Sequence, residues 1–339
     1  MRMRMSRSGG FALVLVLWVL SLLTIMAGSF ALSMRREAGI VTGSSDNARA
    51  VAIAESGLAI AELMVMNPDP QQRWRTDGSI YQIDYADSKV RIRLLSEVGK
   101  VDLNSADEAL LQQLMMRAPV DEELQSKLLN AILDWRDGDD LVRINGAEKE
   151  EYKEAGLSYQ PRNKPFQSVD ELQMVLGMNE QIFKWLESLV TVHSEQTNVD
   201  MAQAAKEVLY VLPGIDVELI DQYIEARREN AINGLPPPAA PVAFNSGTVS
   251  GQAGVNPPAA VISGGAEQKG AITVVAEALL EEGTTATISA LVKKQDSTTG
   301  TSPFQVLKWQ RNAAVNESLF VDEKNELLVG QYAEPEFNN

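Results

Sequence analysis

Twenty-two consecutive residues, Phe11 to Leu32, carry no charge. As a helix they would extend about 33 Å, enough to cross a hydrocarbon core of roughly 30 Å. Apolar and small positions then recur at three-and-four spacing through Ala48, Val51, Ala52, Glu55, Leu58, Ala59 and Glu62. That spacing predicts one helix running on to a stop at Asn67-Pro68, with Gly39, Gly43 and Gly57 as weak points. The period next changes to two. Tyr81, Ile83 and Tyr85, then Val90, Ile92 and Leu94, alternate on either side of the polar break "ADSK" and predict an antiparallel hairpin. Strand patterns return only at 271–280, 285–294 and 303–311, the first two separated by "EEGT". A long helix followed by strands predicts an α+β module, interrupted between its second and third strands.

The interruption is mostly helical in pattern and contains a repeat. "VDLNSADEALLQQL" at 101–114 aligns with "VDMAQAAKEVLYVL" at 199–212, matching Val101 to Val199, Asp102 to Asp200, Ala106 to Ala204, Leu111 to Leu209 and Leu114 to Leu212. Each copy leads into a second apolar helix, "DEELQSKLLNAILDWRD" or "DVELIDQYIEARREN". The "LPGID" between the helices of the second copy is like the turn of helix-hairpin-helix and SAM-like folds. In those folds backbone amides meet phosphate, so the turn raises DNA binding. The helix that follows carries Asp216, Glu218, Asp221 and Glu225 where phosphate would call for Lys or Arg. A helical protein-interaction domain is the plainer reading. Later in the interruption, Ser168 and Glu171 have capping-box spacing ahead of an apolar helix face of Leu172, Val175 and Leu176.

Between the repeats lies "LDWRDGDDLVRINGAEKEEY", 133–152. Asp134, Asp137, Asp139 and Asp140 crowd around Gly138, and Glu148, Glu150 and Glu151 follow a second turn at Asn145-Gly146. Hard divalent cations take six to eight oxygens, which a flexible acidic loop with carbonyls can supply. EF-hand spacing is absent, and a helix C-terminus turning at Gly138 or a solvated acidic face explains the same residues. Other chemistry is sparse. The single histidine, His193, sits in "LVTVHSEQ" as a strand-end residue, and there is no cysteine. Common nucleophilic and metallohydrolase schemes therefore lack parts, disulfides are excluded, and no carboxylate pair stands out for glycoside hydrolysis.

Residues 234–265 carry no charge and contain twelve Pro or Gly, reading as a flexible linker back to the sheet. The end of the chain, 315–339, reads as a frayed acidic tail. The chain as a whole has 46 acidic and 30 basic residues. Its N-terminus is the exception, with Arg2, Arg4 and Arg7 ahead of Gly9, Gly10 and the apolar run, and Arg35 and Arg36 with Glu37 beyond it. This bias favours a cytoplasmic leader. The small residues that look like a processing site precede the apolar run, so a cut there would leave the anchor attached. Losing residues 1–10 removes three arginines and no acid, taking the formal charge from −16 to −19. Such a surface disfavours phosphate backbones and suits cations or basic proteins.

The order of basic leader, Gly, Phe and some twenty apolar residues running into a long helix resembles the type IV pilins and pseudopilins. The resemblance implies cleavage by a prepilin peptidase between Gly10 and Phe11, with N-methylation of Phe11. Most members have glutamate as fifth mature residue, whereas this chain has Leu15. That substitution, the large helical insertion and the "DWRDGDD…NGAE" pattern are similar to the minor pseudopilin K family of type II secretion. The resemblance implies calcium in the helical domain, with Asp134, Asp137, Asp139, Asp140, Glu148 and Glu151 as candidate ligands.

The expected fold class is α+β: a pilin-like N-terminal helix packed on an antiparallel sheet, with a large all-α insertion, SAM-like or helix-hairpin-helix-like, between strands. The expected segments are a leader at 1–10, a transmembrane helix at 11–32, pilin-like helix and first strands at 33–98, and the helical insertion at 99–233. The linker at 234–265, remaining strands at 266–314 and the tail at 315–339 complete the chain. The family resemblance implies a non-enzymatic subunit at the tip of the pseudopilus, nucleating its assembly for export of folded proteins across the outer membrane. Its implied partners are I- and J-type minor pseudopilins and prepilin peptidase, with exoproteins and the secretin as further candidates and no nucleic acid. The implied location is the inner membrane, single-pass, with the C-terminal bulk in the periplasm. A pilin-like DNA-uptake receptor and an anchored periplasmic hydrolase are the alternatives.

Overall fold

A computed structural model describes residues 10–212, 216–240, 270–295, 303–311 and 318–333. Helix α1, Gly10–Val65, is unbroken and ends beside the expected Asn67-Pro68 stop. Its apolar first half contains a window of mean hydropathy 2.5, none of which is buried against the other described residues. Burial begins at Ala50 and continues through Ala54, Leu58, Ala61 and Val65, so the stripe that packs occupies only the C-terminal third. Gly57, a weak point on propensity, is instead the place of closest approach to the sheet. A Cβ there would stand 2.9 Å from Val90 Cγ2.

Strands β1 (Asp77–Asp84) and β2 (Ser88–Ser96) form the expected hairpin, with Ile83 opposite Val90 and Tyr81 opposite Ile92. Strands β5 (Ala271–Leu280), β6 (Thr285–Lys294) and β7 (Phe304–Arg311) continue the sheet antiparallel from β2. The alternation read from sequence separates the two faces. Tyr81, Ile83, Val90, Ile92, Leu94, Ile272, Val274 and Ala276 pack under α1, whereas Ile80 and Val275 join the core of the inserted helices on the opposite face.

The segment 315–339 departs from the expected tail. Residues Leu328–Ala333 form β8, which pairs parallel to β1 and gives the order β7-β6-β5-β2-β1-β8. Its approach is fixed by buried Leu319, by Ser318 Oγ donating to Glu277 Oε1 at 2.7 Å, and by Arg91 Nη1 donating to the Leu319 carbonyl at 2.8 Å. Acidic residues dominate the composition here, but Leu319 and Leu327 are the residues that decide its packing. The start of the expected linker is also tethered. Asn230 Nδ2 donates to the Pro236 carbonyl at 2.9 Å, and Ala240 packs against the insertion core. Residues 241–265, the Pro213–Ile215 portion of "LPGID" and most of the leader lie outside the described residues.

The insertion holds α2 (Glu108–Met115), α3 (Glu122–Arg136), α4 (Lys149–Glu154), α5 (Glu180–Glu187), α6 (Lys206–Val211) and α7 (Val217–Ile232). It is not purely helical. Two-residue strands β3 (Val101–Asp102) and β4 (Val190–Thr191) pair parallel, because buried Asp102 accepts from Asn104 N, Ser105 N, Ser194 N and Oγ, and Glu195 N. Its repeat counterpart Asp200 turns the chain in the same way, accepting from Ala202 N at 3.0 Å. The repeat is thus a repeated aspartate-closed turn ahead of a helix. Arg227, on α7, fastens insertion to sheet: it is 6% exposed, donates to Ala204 O and Asp77 O, and lies 3.3 Å from Asp77 Oδ2.

Candidate cation site in the helical insertion

Three aromatic residues form the floor beneath the acidic turn. Trp135 on α3 stacks on Phe166 at 6.0 Å and tilts against Tyr152 at 6.2 Å, all three buried. Tyr152 OH accepts from Leu176 N at 2.9 Å, tying α4 to the segment behind it. Arg136 anchors the end of α3 by donating to the carbonyls of Leu103 and Ala106. The expected capping box at Ser168 is absent. Residues Val169–Met174 form a 3-10 turn without a side-chain cap, and Glu171 instead accepts from Arg162 Nη1 and Gln167 N at 2.9 and 3.0 Å. Leu172 and Val175 are nevertheless buried, as their apolar spacing predicts.

On this floor α3 positions Asp134, whose side chain is fully buried. Its Oδ2 accepts from Ala147 N at 2.9 Å and Arg143 N at 3.3 Å, which folds the 137–147 loop back over the helix end. Two backbone features make that possible. Asn145 takes φ 63°, and Gly146 passes so close that a Cβ would lie 2.0 Å from Asp134 Oδ2. "NG" in the sequence is therefore a requirement of close approach as well as of turn geometry.

The turn gathers Asp134, Asp137, Asp140 and Glu148 into one electrostatic neighbourhood. Glu148 is only 4% exposed, and although its side chain faces the Glu151 amide in a capping box and the Asn163 amide, neither carboxylate oxygen makes a hydrogen bond of good geometry among the described residues. Burial, then the charges of Asp134, Asp137 and Asp140, push its pKa up to about 7, while Asn163 works the other way. Asp134 and Asp137 are also raised, first by burial, with the Arg143 charge opposing. Asp134 Oδ1, Asp137 Oδ1 and Asn163 Oδ1 are likewise buried without hydrogen-bond partners.

The other two candidates have different tasks. Asp139 Oδ1 accepts from Leu141 N at 2.9 Å, closing its own turn, although its carbonyl meets Asn163 Nδ2. Glu151 Oε2 accepts from Glu148 N at 2.9 Å, capping α4. Asn163 is the residue that sequence reading missed. Its Nδ2 binds Asp139 O at 2.6 Å and Asp140 Oδ1 at 2.8 Å, and its backbone is left-handed at φ 49°. An asparagine between two prolines in "QPRNKPF" is the only sequence signal for it.

Unpaired buried oxygens cost free energy that a hydrogen bond or a cation would offset. Five such oxygens, four of them on carboxylates, have the donor chemistry of a hard divalent cation and of nothing softer. Among the described residues no group of three or more His, Cys, Asp or Glu already stands at metal-holding spacing. His193 lies just beyond β4, with its amide donating to Thr191 Oγ1 at 3.1 Å.

Residues 89–195, which include the whole of this turn, match the family model for type II secretion system (T2SS), protein K. The chain is similar to the type II secretion system protein K of Klebsiella pneumoniae, with 28% identity over 227 residues, covering 60% of this chain and 69% of that protein. It is also similar to the protein of the same name from Aeromonas hydrophila, with 26% identity over 205 residues, covering 52% and 61%. Among solved structures, a chain of the GspK-GspI-GspJ complex of enterotoxigenic Escherichia coli aligns with TM-score 0.44 and 16% identity, covering 82% of this chain and 98% of that one.

Proposed function

We propose that this chain, whose residues 89–195 match the type II secretion protein K model, is a non-enzymatic minor pseudopilin seated at the tip of the pseudopilus. The observation that carries this reading is the match of the inserted helical region 89–195, borne on a chain whose N-terminal helix is apolar and free of intramolecular packing. In this reading prepilin peptidase cuts between Gly10 and Phe11, Phe11 is N-methylated, and α1 stays in the inner membrane with the bulk of the chain in the periplasm. The bare half of α1 is not covered by any of the described residues, so it suits a bundle with the helices of I- and J-type minor pseudopilins.

Leu15 fits the same position. A subunit within a filament benefits from a carboxylate at the fifth mature position that pairs with a neighbouring terminal amine, whereas Leu15 buries no charge in an apolar bundle. The insertion adds over a hundred residues to the sheet face opposite α1, a bulk that stacked copies would have to accommodate at every level. A unique apical place avoids the clash, and from there the insertion can meet exoproteins or the secretin. Such a complex would start assembly of the pseudopilus for export of folded proteins across the outer membrane.

Calcium belongs to the same proposal. Asp134, Asp137, Asp140, Glu148 and Asn163 would hold it, with Asp139 contributing through its loop and Glu151 by fixing the start of α4. Its chemistry there is charge neutralisation, which fixes the loop on the aromatic floor. The direct test is purification of the tagged chain from its native membranes after mild crosslinking. One copy each of this chain and of I- and J-type subunits is expected; multiple copies of this chain in register with itself, or the chain alone, would refute the tip assignment.

A further inference from the structure

We propose that Arg143 is a tethered counter-cation, which holds the acidic turn together before a divalent cation arrives and lowers the affinity with which that cation is taken up. The inference rests on the cation reading of the turn. Asp134, Asp137 and Glu148 bring three negative charges to a buried neighbourhood, and the described ion pairs of both aspartates are with Arg143. Its Nε lies 3.4 Å from Asp134 Oδ1 and 3.7 Å from Asp137 Oδ2. The grip is loose, because both contacts are longer than a good charge-assisted hydrogen bond. The far end of the guanidinium has another partner, with Nη1 3.0 Å from Glu108 Oε2 on α2.

The backbone at the same residue behaves differently. Arg143 N donates to Asp134 Oδ2, so the loop is held at the main chain by a contact separate from the one its side-chain charge makes. An incoming divalent cation needs Asp134 Oδ1 and Asp137, the groups that Nε faces. The guanidinium can yield them without releasing the loop, since Glu108 still holds it. A divalent ion and Arg143 together bring three positive charges to the four carboxylates Asp134, Asp137, Asp140 and Glu148, so the arginine need not leave for the cation to be held.

The sign of the effect on affinity follows from both states. Arg143 attracts the carboxylates when the cation is absent and repels the cation when it is present, and both effects weaken binding. With Arg143 about a third exposed, solvent screens the interaction, and a change of about tenfold in affinity is the expected scale.

Calcium is titrated calorimetrically into the full chain in detergent after chelator treatment, alongside thermal melts in chelator. Arg143→Gln should bind calcium about tenfold more tightly and melt earlier in chelator, while Arg143→Lys should stay near the natural chain in both. Glu108→Gln, a surface change that leaves Arg143 committed to the aspartates, should weaken calcium binding, and the effect should vanish when Arg143 is already Gln. Unchanged or weaker binding by Arg143→Gln would overturn the inference while leaving the calcium site standing. Should Arg143→Gln fail to fold, a Glu108→Gln affinity equal to that of the natural chain would overturn it instead. Failure of the natural chain to bind calcium would overturn the cation reading and this inference with it.

Discussion

Replacing Glu148 by Gln should stabilise the protein without calcium and destabilise it with calcium. The carboxylate is 4% exposed and faces three aspartates; burial first, and those charges second, lift its pKa from 4.5 to about 7 against the opposing Asn163 amide. The native state therefore holds this proton more tightly than the unfolded state does. The calcium-free protein loses stability as pH rises from about 4.5 to about 7, and the loss is complete above that. At about 1.36 kcal/mol per pKa unit the loss is about 3 kcal/mol. Glutamine keeps the shape and cannot ionise. Its amide also lacks an ideal partner, so the gain at pH 8 in chelator should be about 1–3 kcal/mol, or roughly 3–10 °C in melting temperature. At pH 5 the gain should shrink towards zero. Calcium at a hundred times its dissociation constant stabilises the natural chain by about 2.7 kcal/mol, and the variant should forfeit most of this. The assay is tryptophan fluorescence during thermal melting, with Trp135 on the floor of the site. A variant that melts earlier in chelator at pH 8, or whose advantage is the same at pH 5, would refute the reasoning.

Gly146→Ala should cost about 2–4 kcal/mol, because its Cβ would meet Asp134 Oδ2 at 2.0 Å and push the loop off the helix end; an unchanged denaturation midpoint would contradict the close approach. Glu207 shows the opposite pH behaviour from Glu148. Burial opposes its ionisation, but the Arg93 charge and hydrogen bond, helped by Lys324, outweigh that and draw it down to about 2. Its contribution is present above pH 4.5 and lost as pH falls towards 2, about 1 kcal/mol after allowing for its partial exposure. Glu207→Gln should flatten acid denaturation across that window, and parallel acid curves for the two proteins would count against the pair.

Periodicity made much of the fold legible. The three-and-four spacing gave α1 to within two residues of its stop, and the alternation of Tyr81, Ile83, Val90 and Ile92 gave the hairpin, whereas its register came from the structure: Ser88 and Lys89 of the expected break belong to β2, and Lys89 pairs with Asp84. The repeat disclosed Asp102 and Asp200 as equivalents, although only the structure explains why an aspartate stands at both. What stayed hidden depends on contacts between distant residues. Strand β8 looked like a solvated tail because its neighbours are acidic, and its pairing with β1 spans some 250 residues of sequence.

The candidate site divides in the same way. Composition pointed to Asp134, Asp137, Asp139, Asp140, Glu148 and Glu150 alike, since carboxylates crowded around two turns are conspicuous. It also drew in Glu151, which caps a helix, because charge alone cannot distinguish a carboxylate aimed into a site from one aimed at a backbone amide. Asn163 and Arg143 depend on where two separate loops meet. No local pattern reports that.

The pseudopilin reading is tested most directly by intact-mass and N-terminal analysis of the protein from its native membrane. A chain that begins at N-methylated Phe11 is the expected result, with the leader removed and the apolar half of α1 retained. A chain that begins beyond residue 30, or one that keeps Met1 while functional, would contradict it.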